Sequence, residues 1–495
     1  MIPVKVEQLV TAVRGELLTG DKNQLIKNII IDSREREEDA LFVPIIGEKT
    51  DGHKYVAGAL SGGAKTLFMQ KESTYKGEIL KLAGEAGACV VAVESTVTAL
   101  QQFAAWYRSR FEIPVVGITG SVGKTTTKEM ISAALETEKK VLKTIGNKNS
   151  QIGLPLMMFY LDESYDIAVI EMGMSEVGEM RNLSFVARPE CAVVTNIGVA
   201  HIAQLGSKEN IRKEKLNIVN QFDNNSVLFV NGNDTLLHET ATEITQKTIT
   251  IDCDKETLPV LKFTKAVTYG IGAEVETTKY DVSAIDLITG GSGIGFTAVL
   301  RENDAEKRIP VQLKVYGNHN VMNALAAIAV AMRYGISPEK AAEGLAKYEP
   351  IAMRGQIKKE KEITWIDDTY NASPDSMKSG AQVMLSLEGK RHIAVLADVL
   401  ELGEASEGLH REVGAYLANL KEQGGVCDML VTVGTQAAFI ADEAKLCGME
   451  KVQKFTSNAE AAAYLKENLT AGDVVLVKGS RGMHTEEIVN AFVEK

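Results

Sequence analysis

Apolar positions along the chain switch between two periods. Val6, Leu9, Val10, Val13 and Leu17 recur at helical spacing and predict an amphipathic helix at the start. Residues 29–31 and 40–43 are short strand-like runs, and Val97, Leu100, Ala104 and Tyr107 predict a helix in which Trp106 serves packing. From residue 114 onward, β-branched runs at 114–118, 167–170, 191–196 and 227–230 are separated by helical or irregular stretches. Residues 258–316, with alternating apolar positions and a Gly-rich turn at 289–296, predict a small antiparallel excursion before the Ala-rich helix 323–335. Four more strand-like runs at 363–366, 392–396, 429–433 and 474–477 alternate with helical patterns. Strands alternating with crossovers predict an α/β protein with mainly parallel sheets, divided into units at 1–110, 111–349 and 350–495.

Composition narrows the class. Hydrophobic residues make up 45% and charged residues 24%, as in a soluble globular protein. A net charge of −12 argues against nucleic acid or an anionic membrane as partner, while leaving room for anionic small molecules. No apolar run is long enough to span a bilayer, and MIPVKVEQLV lacks a signal-peptide core. Cys89, Cys191, Cys253, Cys427 and Cys447 are scattered, which predicts buried thiols in a reducing cytoplasm.

The chemistry centres on residues 114–130. A strand leads into a glycine turn, then Lys124 and a Thr-rich helix, giving Gly120-Ser121-Val122-Gly123-Lys124-Thr125-Thr126. Glycines let backbone amides approach an anion, the helix start points N–H groups at it, and Lys124 adds charge. An ordinary strand-to-helix turn is the plainer alternative, and its placement favours nucleotide binding. A hard cation takes oxygen ligands, so the Thr125 hydroxyl and Glu171 carboxylate suit Mg2+, with His201 a less usual third. Two like charges about 4 Å apart repel by roughly 4 kcal/mol at an effective dielectric near ~20, so one lysine is a poor match for a triphosphate meeting an anionic nucleophile.

Other residues read both ways. Ser33 and Arg34 at a strand end suit a pyrophosphate or sugar, or form a turn with an Asp32 ion pair; Asp51-Gly52-His53 is a turn. Lys215 reads as part of a charged helix face. Asn318, His319, Asn320 and Asn323 open a helix as capping residues, and Arg354 is a surface charge or a cation reaching a phosphate.

Together these pieces resemble the ATP-dependent Mur ligases of bacterial cell-wall synthesis, over nearly the whole chain. The resemblance rests on residues 119–125, Glu171-Met172-Gly173, Asn196-Ile197-Gly198 with His201, and Gly317-Asn318-His319-Asn320 with Asn323. GNKNSQIGLPL, which contains Asn149, DDTYNASPDSM at 367–377, DVLELGEASEGLH and VKGSRGM point to the branch that adds a dipeptide. The resemblance implies a small N-terminal α/β domain for the UDP-sugar, a central P-loop-type ATPase domain and a C-terminal Rossmann-like domain. It implies ATP and Mg2+, with UDP-MurNAc-tripeptide and D-Ala-D-Ala as substrates, acting as a cytoplasmic monomer. The resemblance implies roles as well: Lys124 and the loop amides would hold phosphates. Thr125, Glu171, His201 and a carbamylated Lys215 would serve the metals, and Asn318, His319, Asn320 and Asn323 would lie on the adenine side. Arg354 and Asp368 would reach the nucleotide, while Ser33, Arg34, Asp51, Gly52 and His53 would hold the uridine nucleotide. Tyr370, Asn371, Ser373 and Pro374 would receive the dipeptide. Val122 and Ser373 stand where the family commonly has Asn, and residues 44–47 replace a more usual run. A sibling ligase adding one amino acid, and a module that hydrolyses ATP without joining anything, are the alternatives.

Overall fold

The computed structural model describes residues 1–246, 265–272, 279–302 and 305–492. Among the described residues three large sheets follow one another along the chain, besides a two-stranded pairing of Val4–Lys5 with Leu25–Ile26. The first orders Glu16–Thr19, Cys89–Val93, Ala64–Gln70, Ala40–Phe42 and Asn28–Ile30, parallel except for Glu16–Thr19. The opening helix is Val6–Val13, and Leu17 belongs to a strand, contrary to the helical spacing that included it. The helix stops because Arg14 turns left-handed (φ 51°) and Gly15 packs so tightly that a Cβ would meet Val91 Cγ1 at 2.7 Å.

The second sheet has nine strands, in the order Ala305–Leu313, Gly293–Glu302, Val282–Gly290, Ala266–Ile271, Val227–Asn231, Cys191–Val194, Val115–Thr119, Ile167–Glu171 and Val141–Lys143. Its first three strands pair antiparallel and the rest parallel. The predicted excursion is therefore an extension of the main sheet; residues 258–264, 273–278 and 303–304 of it, and Cys253, lie outside the described residues. Val115–Thr119 has Ile167–Glu171 on one side and Cys191–Val194 on the other. The chain reverses its winding there, which opens a crevice at the strands' carboxyl ends. Behind it, Met130, Ile131, Ala134 and Leu135 of helix Lys124–Leu135 are buried in one core with the Ala-rich helix Asn318–Arg333. Each such large apolar side chain contributes about 1.5–3 kcal/mol by burial.

The third sheet orders Gln356–Glu360, Ile363–Asp367, Asp473–Lys478, Arg391–Ala397, Met429–Val433 and Val452–Phe455, antiparallel only at the first pair. Asp473–Lys478 slots between strands that precede it by far in sequence, so this sheet too has a switch point. Trp106 stacks on Phe103 with ring centroids 5.8 Å apart, the packing role expected of it. Cys89, Cys191 and Cys427 are buried, but Cys447 is exposed: it caps the end of helix Ala437–Leu446 on an unpacked face. Among the described residues no helix is long and apolar enough to cross a membrane.

Candidate active site

The carboxyl ends of three adjacent central strands deliver Gly120, Glu171 and Asn196 to one place. Gly120 (φ 149°) leaves the strand where a Cβ would lie 1.9 Å from Thr195 Oγ1, and Gly123 (φ 86°) is the N-cap of helix Lys124–Leu135. Only glycine fits both the conformation and the contact at Gly120. Asn196 Oδ1 accepts the amides of Ser121 (3.0 Å) and Val122 (2.9 Å), Thr195 Oγ1 donates to the Val122 carbonyl (2.6 Å), and Ser121 Oγ accepts the Gly198 amide (2.9 Å). The loop is thus shaped by its neighbouring strand end.

Lys124 folds back, its ammonium donating to the Gly120 carbonyl at 2.8 Å. Burial pushes its pKa below the ordinary lysine value, with Glu171 opposing and Arg354 adding to the shift. Glu171 is 3% exposed; its carboxylate accepts from Thr125 Oγ1 at 3.0 Å and from Asn149 Nδ2 at 2.8 Å. Thr127 Oγ1 donates to Asn323 Oδ1 (2.9 Å), whose amide reaches Asn320 Oδ1 (3.2 Å). The helix carrying them is capped by Gly317 without a side-chain cap bond, so these asparagines are not capping residues; they tie the phosphate-loop helix to the helix beside it.

Lys215, on helix Lys208–Leu216, is 1% exposed and not on a solvated face. Burial first, and then the charge of Lys124, hold its pKa well below the ordinary value against the pull of Glu214. Glu214 itself is buried and accepts the amides of Gly178 (3.0 Å) and Met180 (2.8 Å). His201 sits in a left-handed turn (φ 62°), with Nδ1 3.2 Å from Glu401 Oε2. Burial and Lys215 lower its pKa, and Glu401 opposes them.

A cleft of about 680 Å³ runs between the central and third sheets. It is lined by Ser121, Val122, Gly123, Lys124, Thr125 and Thr126 of the loop, and by Asn149, Glu171 and His201. His319, Asn320 and Asn323 line it from the Ala-rich helix, and Arg354, Asp368, Tyr370, Asn371 and Ser373 from the last unit. The Arg354 guanidinium lies over the Tyr370 ring, 4.0 Å from its centroid. Asp368 pairs with Lys478 at 2.6 Å, and burial lowers the His319 pKa against the pull of Asp368. Ser373 Oγ accepts the Ser376 amide as N-cap of helix Pro374–Ser386, with Pro374 in its first turn.

Gly120, Lys215, Asn318 and Pro374 do not line the cleft, nor do Ser33, Arg34, Asp51, Gly52 and His53. Arg34, its side chain 87% exposed, clasps Asp32 (Nε to Oδ1 2.9 Å) and holds that carboxyl down to about 2, the turn ion pair weighed above. His53 is buried with both ring nitrogens engaged, Nδ1 at 2.6 Å from Asp51 Oδ1 and Nε2 accepting the Gln70 amide at 3.1 Å. Its ring is used inside the fold.

Three family models match the chain: the Mur ligase family catalytic domain over residues 25–108, the Mur ligase middle domain over 118–331, and the Mur ligase glutamate ligase domain over 353–481. The UDP-N-acetylmuramoyl-tripeptide–D-alanyl-D-alanine ligase of Bacillus subtilis is 38% identical over 498 residues, covering 100% of this chain and 99% of that protein. The chain belongs to the Mur ligase family. The Escherichia coli ligase of the same name is 30% identical across 100% of this Mur ligase and 99% of its own length. A crystal structure of MurF from Acinetobacter baumannii matches with a TM-score of 0.83 at 29% identity, covering 98% of each chain. MurF ligase from Thermotoga maritima in complex with ADP matches with a TM-score of 0.76 at 26% identity, over 94% of this chain and 97% of that one.

In this Mur ligase three residues to which the sequence assigns no individual role are partners of those it singles out. Asn196 shapes the phosphate loop, Lys478 holds Asp368, and Glu401 faces His201. All three stand in segments that carry the resemblance, Asn196-Ile197-Gly198, VKGSRGM and DVLELGEASEGLH, but their partners are not legible there: Glu401 and His201 are 200 residues apart and meet only through the fold.

Proposed function

We propose that this Mur ligase joins D-Ala-D-Ala to UDP-MurNAc-tripeptide in an ATP-driven reaction, forming an acyl phosphate and releasing ADP and phosphate for peptidoglycan precursor synthesis. The observation that carries the reading is the convergence of Lys124, Thr125, Glu171 and His201 with Arg354 and Asp368 on one cleft between two sheets. ATP lies with its phosphates along the loop from Gly120 to Thr126 and its adenine toward Asn318, His319, Asn320 and Asn323. Lys124, kept short of water, meets the β/γ-phosphates, and Arg354 approaches them from the last unit.

The donors beside the loop fit Mg2+. Thr125 and Glu171 are hard oxygen ligands 3.0 Å apart, and among the described residues no three His, Cys, Asp or Glu side chains form an all-protein cage. Mg2+ takes one or two carboxylates together with substrate phosphates. When bound, it neutralises charge on the phosphoryl oxygens. Thr125 and Glu171 would hold it, with His201 and a carbamylated Lys215 available to a second ion. The low pKa of Lys215 favours the neutral amine, the form that captures CO₂.

The tripeptide carboxylate attacks the γ-phosphate. The dipeptide amine then attacks the acyl carbonyl, and the tetrahedral intermediate expels phosphate. The chain's part is alignment, charge neutralisation and exclusion of water by the last unit. Ser33, Arg34, Asp51 and Gly52 hold the uridine nucleotide, with His53 supporting their loop. Asn149 orients Glu171, and Tyr370, Asn371, Ser373 and Pro374 shape the dipeptide end. The enzyme acts as a monomer in the cytoplasm.

Phosphate release against a panel of acceptors tests this. The expected result is release only when UDP-MurNAc-tripeptide and D-Ala-D-Ala are both present, with Lys215→Ala losing most turnover while its circular dichroism stays native. Release without an acceptor, or preference for a single amino acid, overturns the reading.

A further inference from the structure

Glu401 meets the central unit at His201, a histidine that lines the phosphate cleft. It stands on the loop that follows strand Arg391–Ala397 of the third sheet, whereas His201 follows strand Cys191–Val194 of the central one. Their side chains face each other with Nδ1 3.2 Å from Oε2. Both residues are non-glycine positions in the left-handed region, Glu401 at φ 67° and His201 at φ 62°. Such conformations persist only where the surroundings over-determine them.

Here the surroundings do so. Val399 N–H donates to His410 Nε2 (3.0 Å), Leu400 N–H to Ser480 Oγ (2.9 Å), and Asp398 takes the amides of Thr435 and Ala437 (3.2 and 2.6 Å). Across the boundary, Val199 is buried in the core of the third sheet, and a Cβ on Gly403 would lie 2.9 Å from Ala203 Cβ. The docked backbones therefore aim the Glu401 carboxylate at His201. His201 Nδ1 is buried and has no aligned hydrogen bond, and Glu401 is the carboxylate within ion-pair reach of it. An imidazole whose Nδ1 faces a carboxylate offers Nε2 to a ligand, because the carboxylate selects the tautomer and raises the ring's basicity.

We propose that Glu401 is a positioning residue for the metal-side histidine, so that docking of the C-terminal unit completes the support of a divalent cation bound through His201 Nε2. The inference rests on the proposed role of His201. It adds that this histidine is incomplete until a carboxylate from another domain arrives, which links domain closure to cation binding. Glu401, with a side chain 62% exposed, is free of a packing role that a substitution would destroy.

The test uses the full chain with a non-hydrolysable ATP analogue and Mn2+ as the probe, read by electron paramagnetic resonance, with melting temperatures in parallel. Glu401→Ala is expected to weaken Mn2+ binding by about tenfold, the lower end of the usual effect of losing such a partner. Glu401→Gln, which keeps an acceptor for Nδ1–H, is expected to fall between, and neither changes the melting temperature. In a His201→Ala background, Glu401→Ala is expected to add nothing. Unchanged Mn2+ affinity in Glu401→Ala, with affinity lost in His201→Ala, overturns the role of Glu401 alone. Unchanged affinity in His201→Ala overturns the metal-side reading of the histidine and this inference with it. If Glu401→Ala is unfolded, Glu401→Gln decides: native melting and parent affinity in both backgrounds overturn the proposal.

Discussion

Gly120 shows what one missing methyl group accomplishes. A Cβ there would meet Thr195 Oγ1 at 1.9 Å, and the hydroxyl cannot swing away without losing its 2.6 Å bond to the Val122 carbonyl. Gly120→Ala is expected to cost about 1–3 kcal/mol, the range for forced overpacking, and to disorder the loop amides. Urea unfolding and nucleotide titration read the two effects; parent-like values in both would show that the loop tolerates a side chain. Residue identity together with placement between a strand and a helix made this site legible, since the glycines, lysine and threonine alone also fit an ordinary turn. The same logic failed for Lys215, whose charged neighbours imply a solvated face while its own side chain is 1% exposed. Local composition describes a helix's average surroundings, and one buried position among exposed ones does not change that average.

Elements carry the loops that carry the residues, and His410 is such a support. It lies in helix Ser406–Ala418, with Nδ1 2.7 Å from the Ser406 carbonyl and Nε2 accepting the Val399 N–H. This arrangement requires the neutral ring, and burial lowers its pKa below the ordinary 6.5. Above 6.5 neither folded nor unfolded His410 is protonated, so its contribution is fully present. Below 6.5 the unfolded chain takes the proton first, and stability declines by up to about 1.4 kcal/mol per pH unit until the folded pKa is reached. His201 and His319, also lowered by burial, add slopes of the same sign. His410→Gln is expected to flatten the fall of the urea midpoint between pH 7 and 5. An unaltered slope would remove His410 from the account. Element existence was well marked in the sequence by period and β-branching. Element ends were not: the first helix stops at Val13 because of a backbone turn at Arg14, although the apolar spacing continues to Leu17.

At the scale of the whole molecule, the proposed reaction depends on how the third unit docks, because both units line the cleft. Ile202 is half-buried and packs against both the core that runs from the first unit into the central sheet and the core of the third sheet. Ile202→Asp places a charge in that seam, and the cost of desolvating it is avoided if the domains part. The expected outcome is a larger radius of gyration in solution scattering, lower kcat, and a melting temperature within a few degrees of the parent. An unchanged radius with full turnover would mean that this seam does not govern closure.

The order of apolar runs determined that this chain folds as α/β units, and the spacing of a few glycines, a lysine and a threonine marked the turn where the proposed nucleotide phosphates bind. Those are local matters, set by backbone sterics and periodicity. Only tertiary structure decided that Glu171 meets Thr125 and Asn149, that Asn196 shapes the loop, that His53 is spent within its own fold, and that Glu401 faces His201. Apart from the local His53–Asp51 contact, these meetings pair residues far apart in sequence and depend on strand order and domain docking, which no local pattern encodes.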